Sequence, residues 1–123
     1  MLKVLIADDE PLMRNFIYTT LQKNKNLELK LAENGQGAFY LLHKYHFDLV
    51  LTDLKMPHKN GLEVLKEAKK INPQTLVIIM TAFASVENAV EAMSQGAFNY
   101  LIKPFPPESL EAIIQKAKEH FAL

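Results

Sequence analysis

A doubly wound α/β fold, an open parallel sheet with helices on both faces, is predicted by three features of this 123-residue sequence. Five short apolar runs alternate with amphipathic segments of helical period, the pattern of a parallel sheet joined by right-handed crossovers. Four of those runs end on chemistry: Asp8-Asp9 after VLIA, Asp53 after LVLT, Thr81 after VIIM and Lys103 after YLI. The length suits one domain, residues 1–123, with a single core, and the sequence shows neither repeats nor low complexity.

Each element has its own warrant. Residues 2–7 (LKVLIA) are nearly continuous apolar sequence, as a strand buried on both faces requires. Pro11 suits a first helical turn, where its missing N–H has no partner to lose. Leu12, Met13, Phe16, Ile17, Thr20 and Leu21 then recur at helical spacing, giving a helix to about Lys25. Residues 27–32 (LELKLA) alternate apolar and charged side chains, which places that strand near a sheet edge. Asn34-Gly35 turns the chain into a helix striped by Ala38, Leu41, Leu42 and Tyr45. Gly37 weakens the start of that helix by roughly 1 kcal/mol relative to Ala.

Residues 48–52 (DLVLT) form the third strand, and Pro57 with Asn60-Gly61 breaks the next segment into loop. Leu62, Leu65, Ala68 and Ile71 stripe a third helix, which stops before Asn72-Pro73. Residues 75–80 (TLVIIM) are the most apolar strand, central or nearly so. Val86, Ala89, Val90 and Met93 stripe a short fourth helix, with Ser85 as N-cap and Gly96 as C′ residue. Residues 98–102 (FNYLI) are the last strand, followed by a helix from about Pro107 striped by Leu110, Ile113, Ile114 and Ala117. Strand order does not follow from these patterns.

Composition narrows the function. Lys+Arg and Asp+Glu are equal at 14 each, so the basic excess of a nucleic-acid-binding surface is missing and no direct nucleic-acid contact is expected. Cysteine is absent, which excludes disulfides and thiolate metal sites and fits a cytoplasmic setting. The apolar runs are too short to span a bilayer, and the start turns acidic where a signal peptide needs a cleavage site.

Parallel sheets collect their working residues at the carboxyl ends of their strands. Asp8, Asp9, Asp53, Thr81 and Lys103 are therefore expected in one crevice. Adjacent carboxylates are costly to bring together unless a cation neutralises them, and oxygen ligands of this kind suit Mg²⁺. The set matches phosphoryl transfer to a carboxylate: acids hold the cation, one acid takes the phosphoryl group, and the hydroxyl and ammonium hold its oxygens. Ala82, small and next to Thr81, leaves room for that group. Lys103-Pro104 offers a way to aim the ammonium inward. The four histidines (His43, His46, His58 and His120) lack metal-ligand spacing and read as surface residues. Met56 and Met80 read as core filler.

IADDE, LTDLKMPHKNG, MTAFA and YLIKPF, in this order and spacing, resemble the receiver domain of two-component response regulators. The resemblance covers essentially the whole chain and implies a flavodoxin-like (βα)5 fold with strand order 2-1-3-4-5. It implies Asp53 as phosphoacceptor for a sensor histidine kinase. It implies Mg²⁺ bound directly by Asp9, by Asp8 directly or through water, by Asp53, and by the backbone carbonyl of Lys55. Thr81 would bind a phosphoryl oxygen. Lys103 would pair with Asp53 before phosphorylation and with the phosphoryl group after it. Tyr100 matches the switch aromatic that moves inward behind the Thr. Such a domain assists its own phosphorylation and dephosphorylation without being an enzyme in the usual sense.

The run TAFASVENAVEAMSQGAFNYLIKPF is most similar to receivers of enhancer-binding, nitrogen-regulator type activators. The resemblance thus implies transcriptional output through ATPase and DNA-binding domains, with this sequence a receiver excised from a longer chain. A single-domain regulator is the alternative. Pairing of two copies on phosphorylation, release of an output domain and creation of a docking surface all stay open. Gly37, where receivers often carry an acid, and Pro106-Pro107, in place of a polar cap, depart from the pattern away from the acidic site.

Other classes fit less well. A nucleotide or FMN binder wants phosphate-binding N–H groups after the first strand, where Asp8-Asp9-Glu10 would repel phosphate. An aspartyl-phosphate phosphatase wants an acid two residues after the nucleophile, where Lys55 stands. A degenerate receiver should have lost an acid, the Thr or the Lys. Lys55 and Phe83, two residues after Asp53 and Thr81, are best placed to flank the acyl phosphate. Neither is a base, so slow self-dephosphorylation is expected, unless both simply point to solvent.

Overall fold

The computed structural model describes residues 1–122. The elements run β1 (Leu2–Ala7), α1 (Pro11–Leu21), β2 (Leu27–Ala32), α2 (Gly35–Lys44), β3 (Leu49–Asp53), α3 (Gly61–Ile71), β4 (Leu76–Thr81), α4 (Val86–Ser94), β5 (Asn99–Ile102) and α5 (Pro107–Ala122). All pairings are parallel, in the order β2-β1-β3-β4-β5. This is the doubly wound order expected of the fold.

Side-chain alternation along the strands divides the core in two. Val4, Ile6, Leu49, Leu51, Ile78 and Met80 point to one face, where Ile17, Leu21, Leu110, Ile113 and Ile114 of α1 and α5 cover them. Leu5, Val50, Val77 and Ile79 point to the other, beneath Ala38, Leu42, Val64, Leu65 and Ala92 of α2, α3 and α4. Every residue of β3 and β4 is buried, the polar Thr52, Asp53 and Thr81 included, whereas β2 at the edge is only partly covered. Met80 is buried, and Met56 is half-buried against the second cluster.

Four local expectations are revised. Helix α1 stops at Leu21, short of Lys25, because residues 22–26 offer no apolar side chain to bury and Asn24 turns the chain back. Leu12, assigned to the core stripe, is 86% exposed. Helix α2 begins firmly at Gly35, because the Asn34 side chain accepts from the Gly37 N–H at 2.8 Å and pins the turn. The α4 stripe faces outward: Val86, Val90 and Met93 are exposed, and the helix docks through Ala92, whose small side chain lets it approach the sheet. Ser85 does cap α4, accepting from the Asn88 N–H, and Gly96 follows the helix at φ 96°. The Lys103–Pro104 peptide is cis.

Candidate functional site

Parallel register brings the strand ends level. Ala7 lies beside Thr52, Asp53 beside Met80, and Thr81 beside Ile102. One residue further on, Asp8 and Lys103 leave their strands towards the same crevice. Asp8, Asp53, Thr81 and Lys103 are all buried, a position charged groups hold only when paired.

The pairing centres on Lys103. Its Nζ donates to Asp8 Oδ2 at 2.8 Å and lies 3.4 Å from both Asp53 Oδ2 and Glu10 Oε1. The ammonium thus holds Asp8 more tightly than Asp53, the partner named by the resemblance. Asp8 is the more deeply buried of the two carboxylates and gains most from a charge-assisted bond. Asp8 Oδ1 also accepts from the Glu10 N–H at 2.9 Å, and its carbonyl accepts from Arg14 Nη1 at 2.8 Å. Asp53 Oδ1 accepts from the Leu54 N–H at 2.9 Å, which leaves Oδ2 facing the ammonium.

The backbone around Asp53 is held by close approach. A Cβ on Gly61 would stand 2.3 Å from the Asp53 carbonyl oxygen, and one on Gly35 would stand 1.9 Å from the Lys59 carbonyl oxygen. Only glycine lets α3 and α2 close on the two ends of the loop that follows β3. The Gly61 N–H donates to the Leu54 carbonyl and the Leu54 N–H to the Met80 carbonyl, completing the clamp.

Burial pushes the Asp53 carboxyl up to about 6; the Lys103 charge opposes this, and Asp8 and Asp9 add to it. Burial alone would lower the Lys103 ammonium, but its bond to Asp8 and the charges of Asp8, Asp53 and Glu10 outweigh that and raise it. At neutral pH the site therefore holds an ionised Asp53 beside a firmly protonated lysine.

Carboxylate oxygens of Asp8, Glu10 and Asp53 lie within 4.8 Å of one another. Such hard oxygen donors fit a divalent cation of the Mg²⁺ kind. Glu10 was absent from the sequence-derived ligand set; the signal available was a third acid in the turn that bends back over Asp8. Asp9 is exposed and outside this triad, though its charge reaches Asp53. Lys55 is exposed, with its ammonium 4.3 Å from the centre of the Phe83 ring.

Thr81 Oγ1 accepts from the Phe83 N–H at 2.9 Å, and the Thr81 carbonyl accepts from the Lys103 N–H. Tyr100 is half-buried against the second core cluster, and its hydroxyl is buried with no hydrogen-bond partner among the described residues. The histidines lie apart from the triad: His43 pairs with Glu67, His46 with Asp48, and all four are exposed. Among the described residues no helix is long and apolar enough to cross a membrane.

The chain is similar to known proteins over nearly its whole length. The family profile of the response regulator receiver domain matches residues 4–115. The regulatory protein AtoC of Escherichia coli (strain K12) is 43% identical over 115 residues, 94% of this chain and 25% of its own length. The transcriptional regulatory protein ZraR of the same organism is 40% identical over 117 residues, 95% of this chain and 26% of its own length. This chain thus spans about a quarter of the length of the curated relatives it matches. The crystal structure of a CheY-like receiver domain protein from Methanospirillum hungatei superposes with a TM-score of 0.91 at 30% identity, covering 99% of this chain and 98% of that one. With the family profile matched over residues 4–115 and a relative 43% identical over 94% of its length, the chain belongs to the response regulator receiver domain family.

Proposed function

We propose that residues 1–123 act as the phosphoryl-accepting receiver of a cytoplasmic two-component system, taking a phosphoryl group from a sensor histidine kinase onto Asp53. The observation that carries this reading is the Lys103 ammonium, which sits within 3.4 Å of the Asp8, Glu10 and Asp53 carboxylates in one buried crevice. Asp53 Oδ2 attacks phosphorus as the phosphorus–nitrogen bond of the donor phosphohistidine breaks; the imidazole nitrogen keeps the bonding pair and takes up a proton. Lys103 loses one of its anionic partners as the carboxylate becomes an acyl phosphate, and meets the new oxygens in its place. Thr81 Oγ1 turns to donate to another. Asp8, Asp9, Asp53 and the Lys55 carbonyl, with Glu10 close by, would hold Mg²⁺, which supplies further neutralisation of the transferring group.

The readout follows from Thr81 and Tyr100. The acyl phosphate carries a charge of about −2 where the carboxylate carried about −1, drawing Thr81 towards Asp53 and leaving space beside Tyr100. A buried hydroxyl without a partner is costly, so Tyr100 is already poised for a second arrangement. The surface of α4, β5 and α5 changes with it, and controls an output domain or a partner. Likeness to transcriptional regulatory proteins supports output at the level of transcription, through ATPase and DNA-binding domains or pairing of copies.

Intact-mass measurement with Mg²⁺ and a small acyl-phosphate donor tests the acceptor. Wild type gains one phosphoryl mass and Asp53→Asn gains none; equal labelling of both rejects the assignment. With beryllofluoride, amide exchange should change across residues 82–105, and a change confined to residues 53–61 would reject the readout.

A further inference from the structure

Phe83, in the loop between β4 and α4, is 61% exposed yet held at three points. Its N–H donates to Thr81 Oγ1 at 2.9 Å. Its carbonyl accepts from Asn88 Nδ2, in the first turn of α4, at 3.2 Å. Its ring faces the Lys55 ammonium at 4.3 Å, which ties the β4–α4 loop to the β3–α3 loop across the mouth of the site. Surface lysines often lie over aromatic rings, and the other rings so faced among the described residues, Phe39, Tyr40 and Tyr45, belong to α2 and its C-terminal cap. The Lys55–Phe83 contact differs because it bridges two site loops, and because its aromatic partner is also bonded to Thr81.

We propose that Phe83 is a relay that loosens the start of α4 when negative charge arrives on Asp53, an inference that rests on the phosphoacceptor reading above. A doubly charged group attracts an ammonium more strongly than a ring quadrupole does. Lys55, two residues after Asp53, turns from the ring to the anion. Thr81 Oγ1, drawn to the same anion, leaves the Phe83 N–H. Both anchors on the site side are released together, while the carbonyl keeps its bond to Asn88. The loop's movement is thereby handed to the first turn of α4, separately from any movement of Tyr100. Each anchor holds the closed loop by a factor of roughly 2 to 5 at such exposure.

Phe83→Leu keeps an apolar side chain but removes the ring, and Phe83→Tyr keeps the ring. Amide exchange of residues 84–90 is compared in wild type and both variants, with Mg²⁺ alone and with Mg²⁺ plus beryllofluoride. The relay predicts exchange in Phe83→Leu roughly 2- to 5-fold faster with Mg²⁺ alone, a correspondingly smaller increment on adding beryllofluoride, and wild-type behaviour for Phe83→Tyr. An increment in Phe83→Leu equal to that of wild type, with normal phosphoryl mass gain on Asp53, overturns the relay alone. Absence of both mass gain and beryllofluoride response in wild type overturns the phosphoacceptor reading and the relay with it.

Discussion

Helices α3 and α4 follow neighbouring interior strands, begin at loops that line the same site, and are each capped by a side chain, yet they are anchored very differently. Helix α3 buries Gly61, Val64, Leu65 and Ala68, and closes its start with a reciprocal Asn60–Glu63 capping box. Helix α4 buries Ala92 alone, starts on the single Ser85 cap, and exposes Val86, Val90 and Met93. A fully buried Leu or Val side chain contributes about 1.5–3 kcal/mol, so several such contributions separate the two. Helix α3 is a fixed wall behind Asp53, whereas α4 lies at the low-stability end from which moving parts are drawn. What distinguishes the two helices here is the depth of docking, more than helix propensity.

Leu65→Ala should break the wall most severely, lowering stability by about 2–5 kcal/mol in urea unfolding through lost burial and the cavity left behind. A cost under about 1 kcal/mol would show α3 to be no better anchored than its neighbour. The next effect sits between the helices. Burial raises the Asp53 carboxyl from 3.8 to about 6, so the folded chain holds that proton more tightly than the unfolded chain does. The resulting stabilisation is complete below the unfolded value and is lost as pH rises through 6. In metal-free buffer Asp53→Asn should therefore be more stable than wild type by about 3 kcal/mol near pH 8, with the gap closing by pH 4. A gap independent of pH would show that Asp53 ionises without strain.

Asn60→Ala removes half of the capping box and should cost about 1 kcal/mol, with exchange quickening at the start of α3. Ser85→Ala should quicken exchange only in α4. The smallest effect is expected for Val90→Ala, within about 0.5 kcal/mol of wild type by the same unfolding measurement. A larger loss would mean that the outward face of α4 is covered.

The sequence reading was sharpest where one residue pattern has one structural solution. The continuous apolar runs of β1 and β4 read as interior strands and the LELKLA alternation as an edge, which is where they lie. The convergence of strand ends suffices to bring Asp8, Asp53, Thr81 and Lys103 together without any family resemblance. Strand order needed the resemblance, because neither apolar pattern nor loop length distinguishes which strand pairs with which. The α4 stripe misled because hydrophobic periodicity reports an apolar face without saying whether anything covers it. Leu12 misled for the same reason in the first turn of α1. Glu10 and the Lys55–Phe83 contact were missed because they arise from the path of loops, which local pattern does not encode.

The sheet's two open edges carry a last consequence. An unpaired strand edge is a template on which another chain can add a strand and begin aggregation. Here β2 interleaves Glu28 and Lys30 with its apolar residues, and β5 has four residues before the Lys103–Pro104 peptide. Charge, brevity and a proline that lacks an N–H all discourage strand addition. Strand addition is thus discouraged at both edges, and the exposed Val86, Val90 and Met93 lie on a helix, not on an unpaired strand.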